Sequence, residues 1–425
     1  MSQTTSSASE IGYILKGFAR TSETFITNEI YLLEKLGLKL SIFSLIKLEG
    51  QKRHAVVDAI KAPVTYLPPL SSLTEESLWQ WLKNNLGQFS ATHSVLFKTR
   101  PFAYLHTLLF ALKLGFKHQE KQFIKEFLQA GFIAQKALAS GRIRHLHAHF
   151  AHTSTTVTMF ASQLSGLPFS LTAHAKDIYL AELNPGDLLN IKLRRAKFIA
   201  TCTKANEQHL REVEPHSAPI HTIYHGLDTK QFAPLEPTPA PIPIVLSVGR
   251  FVEKKGYKYL VEACRVLREQ GLKFECHIVG GGDAEPTKAL IQQLHLTDTV
   301  IIHSAVTQEE LRHIYKSATV FALACQIIES GDRDGIPNVL AEAMAMELPI
   351  VSTDISGIPE LVDQRVDGLL VPQKNAEALA KALAELLNDA ALRQRLGKAA
   401  REKICRIFDA EVTVVELFQL LQKCL

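Results

Sequence analysis

Short apolar runs rich in Val, Ile and Phe alternate along the chain with segments whose apolar residues recur at i, i+3 and i+4. The first half carries runs at IGYILK (11–16), LKLSIFSL (38–45), HLHAHF (145–150), FSLTAH (169–174), FIATCT (198–203) and HTIYHG (221–226). The second half carries IVLSVGR (244–250), FECHIVG (274–280), VIIHSA (300–305), TVFALAC (319–325), PIVSTD (349–354) and DGLLVP (367–372). Strands separated by helical segments predict parallel sheets with helices on both faces, an α/β class. Twelve strands exceed the usual open sheet, so two doubly wound domains are expected.

The boundary between them is marked by APLEPTPAPIPI (233–244), whose five prolines deny the chain helix or central strand. The expected division is 1–230, 231–405 and a terminal segment 406–425, with the crossing near 227–234. Residues 46–90 are the least regular stretch of the first domain. The terminal segment FDAEVTVVELFQLLQKCL reads as an amphipathic helix with no strand after it. Its apolar face (Val412, Val415, Leu417, Leu420, Leu421) needs a partner.

The 425 residues are 46% hydrophobic and 21% charged, an ordinary globular composition that excludes disorder over most of the length. The net charge of +4 is too small to imply nucleic-acid binding. Its distribution is uneven: residues 1–233 sum to +9 and residues 234–425 to −5, so an anionic surface meets the first half more readily. Six scattered cysteines without a Cys-x-x-Cys pair read as small buried hydrophobes of a reducing compartment. MSQTTSSASEIGYILKG has no basic leader before an apolar stretch, and no long apolar run follows, so neither a signal peptide nor a membrane span is expected. The expected location is cytoplasmic. Residues 98–125 hold six basic side chains against one acid, Glu120, interleaved with Phe and Leu. Such a segment suits an anionic membrane surface on the inner face, or is a solvated helix whose apolar side is core.

Two segments carry candidate chemistry. SVGRFVEKKG (247–256) is a strand ending at Gly249, then Arg250, a turn, and Lys255–Gly256 opening a helix. Ligands of open α/β sheets sit at the carboxyl ends of strands, and two cations there suit a diphosphate; an exposed basic turn is the plain alternative. DRDGIPNVLAEAMA (332–345) places Asp334 before a helix start, with Pro337 fitting the first turn. The free amides of Gly335, Ile336 and Asn338 around Pro337 can hold phosphate or sugar oxygens. Glu342 follows Asp334 after seven residues, so one acid can face a sugar and the other a ribose diol.

These motifs resemble the retaining glycosyltransferases of family 4. DGIPNVLAEAMA, the PIVST strand, SGIPELV, GR-x-x-x-K-K-G and VDGLLVP all match, with Asp334 standing where the family has Glu. The resemblance implies the GT-B fold, two Rossmann-like domains facing across a cleft with the C-terminal helix returning to the first domain. It also implies an acceptor-binding first domain and a nucleotide-sugar-binding second one. FARTSETFITNEIYLLEKLG (18–37), HAHFAHTSTTVTMFASQLSGLPFSLTAHAKDIY (147–179) and IYHGLDTKQF (223–232) resemble the branch that builds exopolysaccharides such as colanic acid. By resemblance, His174 lies near the transferring sugar, Ser22, Glu23, Thr24 and Asp177 line the acceptor side, and Gly281 borders the nucleotide. Ser22 and Thr24 also suit plain N-caps of a helix beginning near Phe25. His147, His149 and His152 suggest a metal, but two alternate along a strand with no carboxylate near in sequence, so packing is the expected role. Asp332-Arg333-Asp334 spells Asp-x-Asp, yet Arg250 and Lys255 can neutralise a diphosphate without metal.

The expected activity is therefore metal-independent, cofactor-free transfer of a sugar from a nucleotide-diphosphate sugar to a saccharide or lipid-linked saccharide acceptor, with retention. Arg250, Lys255, His174 and Asp334 are the expected catalytic residues. Glu342, Gly335, Ile336, Pro337, Asn338, Gly249 and Gly281 are expected to bind the donor. An epimerase or hydrolase of the same fold, or a non-catalytic nucleotide-sugar-binding scaffold, are the alternatives.

Overall fold

Each of the apolar runs named above contains a strand in the computed structural model, which describes residues 9–20, 23–48, 55–73, 76–236 and 241–425. The chain divides into two compact units. One comprises Met1–Cys202, Glu207–Ile223 and Val414–Leu425, and the other Thr203–Asn206 with Tyr224–Thr413.

The first unit is built on β1 (Glu10–Phe18), β2 (Leu40–Lys47), β3 (Val64–Tyr66), β4 (Ile143–His149), β5 (Phe169–Ala173), β6 (Ile199–Thr201) and β7 (Ile220–Thr222). Their order is β3-β2-β1-β4-β5-β6-β7, and every neighbouring pair is parallel. β3 is absent from the sequence-derived strands, because its three residues are only half-buried and offer no apolar run. The second unit is built on β8 (Ile244–Val248), β9 (Glu275–Val279), β10 (Val300–His303), β11 (Val320–Leu323), β12 (Ile350–Thr353) and β13 (Leu369–Val371), in the order β10-β9-β8-β11-β12-β13 and again all parallel. Both are doubly wound, Rossmann-like sheets. The direction of winding reverses beside β1 in one and beside β8 in the other, which is where such sheets bind ligands. Ile11, Ile14 and Leu171 of one sheet and Leu246, Ile278 and Phe321 of the other are fully buried. Helices on both faces explain why these strands read as continuous apolar runs.

Two expectations about apolar residues need correction. The terminal helix runs Ala410–Gln422, but it buries Val414, Leu417 and Leu421 while Val412 and Val415 are exposed. The expected face was rotated by part of a turn. Four cysteines are buried as expected, yet Cys405 is exposed on the outer face of the helix Ala390–Ile407, and Cys424 is half-buried in the turn after the last helix.

Residues 87–140 form three successive helices, Gly87–Thr99, Pro101–His118 and Gln122–Ser140. The middle one packs inward with Thr107, Ala111 and Leu114, with Tyr104, Leu108 and Phe110 partly buried beside them, and turns a stripe of other large apolar residues outward. Phe102 and Phe116 are 88% and 90% exposed, and Leu105, Leu109 and Leu112 lie on the same side. Among the described residues no helix is long and apolar enough to cross a membrane.

Candidate active site

In the second unit the chemistry gathers after β8 and β11, the two strands that flank the reversal of winding. β8 ends at Val248, and Gly249 N–H continues the ladder to Val279 O at 3.0 Å. A Cβ at Gly249 would lie 2.9 Å from the Tyr257 hydroxyl, which donates to Gly249 O. Arg250 is exposed just beyond. Gly256 takes the left-handed conformation (φ 67°) before the helix Tyr257–Glu269, and a Cβ there would fall 1.8 Å from Ala324 O. Only glycine lets this turn press against the end of β11. Gly281 belongs to the neighbouring loop, where its carbonyl accepts from Phe251 N–H at 2.8 Å.

That close approach brings lysines to acids. Lys255 Nζ lies 2.7 Å from Asp334 Oδ2, and Lys254 Nζ lies 3.0 Å from Asp332 Oδ1 and 3.4 Å from Asp334 Oδ1. Burial pulls the Lys255 ammonium toward deprotonation, but the Asp334 carboxylate outweighs it and leaves the pKa above its ordinary value. Burial likewise opposes ionisation of Asp334, and Lys255 and then Lys254 overcome it, so its pKa is lowered. Lys255 and Asp334 are therefore both charged at neutral pH. Sequence reasoning did not include Lys254 in the cluster; its adjacency to Lys255 was the only available signal. Asp332, read there as part of an Asp-x-Asp motif, is paired with Lys254.

Gly335 and Ile336 are half-buried, Pro337 is buried and Asn338 is exposed at the start of the helix Asn338–Ala345. Pro337 is the N-cap, with extended φ −64° and ψ 122°, rather than a first-turn residue as expected. The residue before the helix, not the first inside it, carries the fixed φ. Glu342 sits one turn in and is buried. Its Oε2 accepts from the Tyr315 hydroxyl at 3.0 Å, and burial raises its pKa to about 7 despite that hydrogen bond. Tyr315, itself buried, had no sequence signal, since it lies 27 residues from its partner.

In the first unit the candidates lie at the ends of β1, β4 and β5. His174 follows β5, is buried, and precedes the short helix Ala175–Tyr179. Its N–H donates to Asp177 Oδ1 at 2.8 Å, while Asp177 Oδ2 accepts from Ala151 N–H. Burial pushes the Asp177 carboxyl up to about 7 against these bonds. Asp177 is fully buried, so it braces the turn at His174 and does not itself line a surface. Lys192, also buried, ties the same loops together by donating to Ala151 O, His152 O and Asn184 Oδ1 at 2.9, 3.2 and 2.7 Å.

Thr24 is the first residue of the helix Thr24–Lys35 and Glu23 is its N-cap position without a side-chain cap, so Thr24 is not the cap that was one of its two readings. Glu23 pairs with Arg20 at 3.4 Å, and burial raises its pKa although Arg20 opposes this. Ser22 lies outside the described residues. His145, His147 and His149 are all fully buried on one face of β4. His145 and His147 share Ser170 Oγ, each at 2.7 Å, and His147 reaches Thr172 Oγ1 at 3.0 Å. Burial lowers His145 to about 3 and holds His147 well below its ordinary pKa. His152 accepts from Thr153 N–H at 2.7 Å, and burial together with Lys16 and Lys192 brings it to about 3. The rings of His145, His147 and His152 are neutral at neutral pH.

Residues 231–403 match the family described as glycosyl transferases group 1. Over 97% of the chain and 99% of the relative, the sequence is 31% identical to a putative colanic acid biosynthesis glycosyltransferase, WcaL, of Escherichia coli K12. The chain belongs to the group 1 glycosyltransferases. A second relative, the amylovoran biosynthesis glycosyltransferase AmsK of Erwinia amylovora, is 39% identical over 42% of this chain and 44% of its own. Among solved structures, the fold is similar to sucrose-phosphate synthase from Thermosynechococcus elongatus, with TM-score 0.71, 20% identity, and coverage of 97% and 98% of the two chains. It is also similar to Anabaena HepE in complex with UDP-glucose, with TM-score 0.67, 15% identity, and coverage of 98% and 100%. These neighbours identify this glycosyltransferase as GT-B in fold.

Proposed function

We propose that this glycosyltransferase moves a hexose-type sugar from a nucleotide-diphosphate sugar to a saccharide acceptor, with retention and without metal or other cofactor. The observation that carries the reading is the lysine–aspartate cluster at the ends of β8 and β11, beside a helix start. Arg250 offers a planar fork of donors and Lys255 a compact charge, a pair suited to a diphosphate. As the bond from the anomeric carbon to phosphate oxygen breaks, negative charge grows on the leaving group, and positioned cations then interact more strongly. Asp334 and the amides from Gly335 to Asn338 hold the sugar, Gly249 and Gly281 let the backbone approach the nucleotide, and Glu342 anchors the ribose. His174 serves the transferred sugar, and Ser22, Glu23 and Thr24 serve the acceptor. In the front-face course the acceptor oxygen bonds to the anomeric carbon on the side the phosphate leaves, and the acceptor proton passes to a leaving phosphate oxygen.

The names of its relatives support exopolysaccharide assembly as the setting. A lipid-linked acceptor would place the enzyme at the inner face of a membrane, and the helix Pro101–His118 suits that position. Its exposed stripe of Phe102, Leu105, Leu109, Leu112 and Phe116 is flanked by exposed Lys98, Arg100, Lys113 and Lys121. Apolar side chains entering the acyl boundary below basic ones at the headgroups fit a peripheral, anionic-lipid-bound enzyme of the cytoplasm.

The test is a panel of nucleotide sugars with and without lipid-linked oligosaccharide. Sugar transfer that depends on the acceptor is expected. Release to water without an acceptor would instead indicate a hydrolase, and binding without turnover across the panel a scaffold.

A further inference from the structure

The three buried histidines of β4 are not equivalent. His145 and His147 bond to serine and threonine hydroxyls of β5, but His149 lies between a carboxylate and another imidazole. Its Nε2 is 2.8 Å from Glu29 Oε1, on the helix Thr24–Lys35, and its Nδ1 is 3.2 Å from His174 Nε2. The Tyr13 hydroxyl, from β1, donates to the same Glu29 oxygen and lies 2.9 Å from His149 Nε2. Glu29 and His149 are 120 residues apart, so no spacing in the sequence announces the pair.

An ionised Glu29 can only accept, so His149 Nε2 carries the hydrogen and Nδ1 is left with a lone pair. That lone pair accepts from His174 Nε2–H. The backbone N–H of Asp177 also donates to the His174 side chain, so the carboxylate fixes the tautomer of His149 and the helix start shares in fixing that of His174. The rings of Phe25 and Phe150 pack on His174 at 5.4 and 4.3 Å between centroids.

We propose that Glu29 and His149 are positioning residues that hold the His174 ring in place, His149 by accepting from His174 Nε2–H and Glu29 by accepting from His149 Nε2–H. The role in catalysis rests on the reading that His174 serves the transferred sugar; the tautomer does not. Glu29 is the acid in direct contact with His149.

The experiment is ¹⁵N NMR of histidine-labelled full-length enzyme, with His149→Gln and His174→Asn used to assign the two rings, together with kcat and KM. In wild type, His149 is expected as the Nε2–H tautomer. Glu29→Gln keeps an acceptor for that hydrogen, so the tautomer should persist and most of kcat with it. Glu29→Ala removes the acceptor as well and should lower kcat roughly 10²-fold, with KM changing little, as for a misplaced reacting group.

If Glu29→Ala does not fold, Glu29→Gln alone still tests the proposal. His149 in the opposite tautomer in wild type, or loss of the Nε2–H tautomer in Glu29→Gln, would overturn it. Wild-type turnover in His174→Asn, with the NMR shifts as expected, would instead reject the assignment of His174 to the sugar and leave the positioning geometry intact.

Discussion

Replacing Glu342 by Gln should stabilise the free enzyme at alkaline pH while weakening its hold on the nucleotide. Glu342 is buried, and its carboxyl has Tyr315 as hydrogen-bond donor, with a pKa raised to about 7 from an ordinary 4.5. Ionising it in the folded state then costs roughly 3 kcal/mol relative to the unfolded chain. The sign follows from proton counting. Between pH 4.5 and 7 the folded state keeps a proton that the unfolded state has released, so native stability falls as pH rises through this window and is level above it. The substituted amide would keep an oxygen for the Tyr315 hydroxyl but carries no charge, so the variant lacks this fall. The difference in melting temperature, variant minus wild type, should be smallest near pH 4.5 and grow to several degrees by pH 8, at roughly 2–4 °C per kcal/mol for a domain of this size. Differential scanning calorimetry across that range reads the difference directly, and any constant cost of the new amide group drops out of its slope. Nucleotide affinity at pH 8 should fall roughly ten- to a hundredfold if a charged ribose contact is lost. A pH-independent stability difference would refute the buried, proton-retaining carboxyl. A flat difference together with unchanged nucleotide affinity would remove Glu342 from the donor site.

Arg250→Ala and Lys255→Ala should each lower turnover at saturating donor by roughly 10²–10³, measured by steady-state kinetics with far-UV circular dichroism as a control on folding. Gly256→Ala should cost roughly 3 kcal/mol in urea unfolding, since its Cβ would fall 1.8 Å from Ala324 O; an unchanged midpoint would mean that the turn does not press on β11. Phe102→Ser with Phe116→Ser should abolish most sedimentation with anionic vesicles. Lys113→Glu should weaken it in a salt-dependent way, and equal binding to neutral vesicles would count against the electrostatic part.

The sheets were legible because buried parallel strands are written as unbroken apolar runs, and β3 escaped because its residues are half-buried at an edge. Arg250, Lys255, Asp334 and Glu342 stood out because the motifs around them are local in sequence. What the motifs could not convey is which side chains meet. The pairing of Lys255 with Asp334 depends on Gly256 nesting against Ala324, and Tyr315 reaches Glu342 from another helix. The absence of a carboxylate near His149 in sequence suggested plain packing, yet Glu29 stands beside it, brought there by the adjacency of β1 and β4. The basic segment 98–125 read as amphipathic, with its apolar side either at a membrane surface or in the core, and the structure turns a stripe of Phe and Leu outward. Helical periodicity locates a face but does not say which side meets the core when both sides are apolar.

The most direct test of the account is to follow transfer from the identified donor by ¹H NMR in real time, reading the anomeric coupling of the new glycoside alongside release of nucleoside diphosphate. One glycosidic bond is expected per nucleoside diphosphate released, only in the presence of acceptor, with the anomeric configuration of the donor preserved. Inverted product, or sugar appearing free in water at the same rate without acceptor, would contradict it.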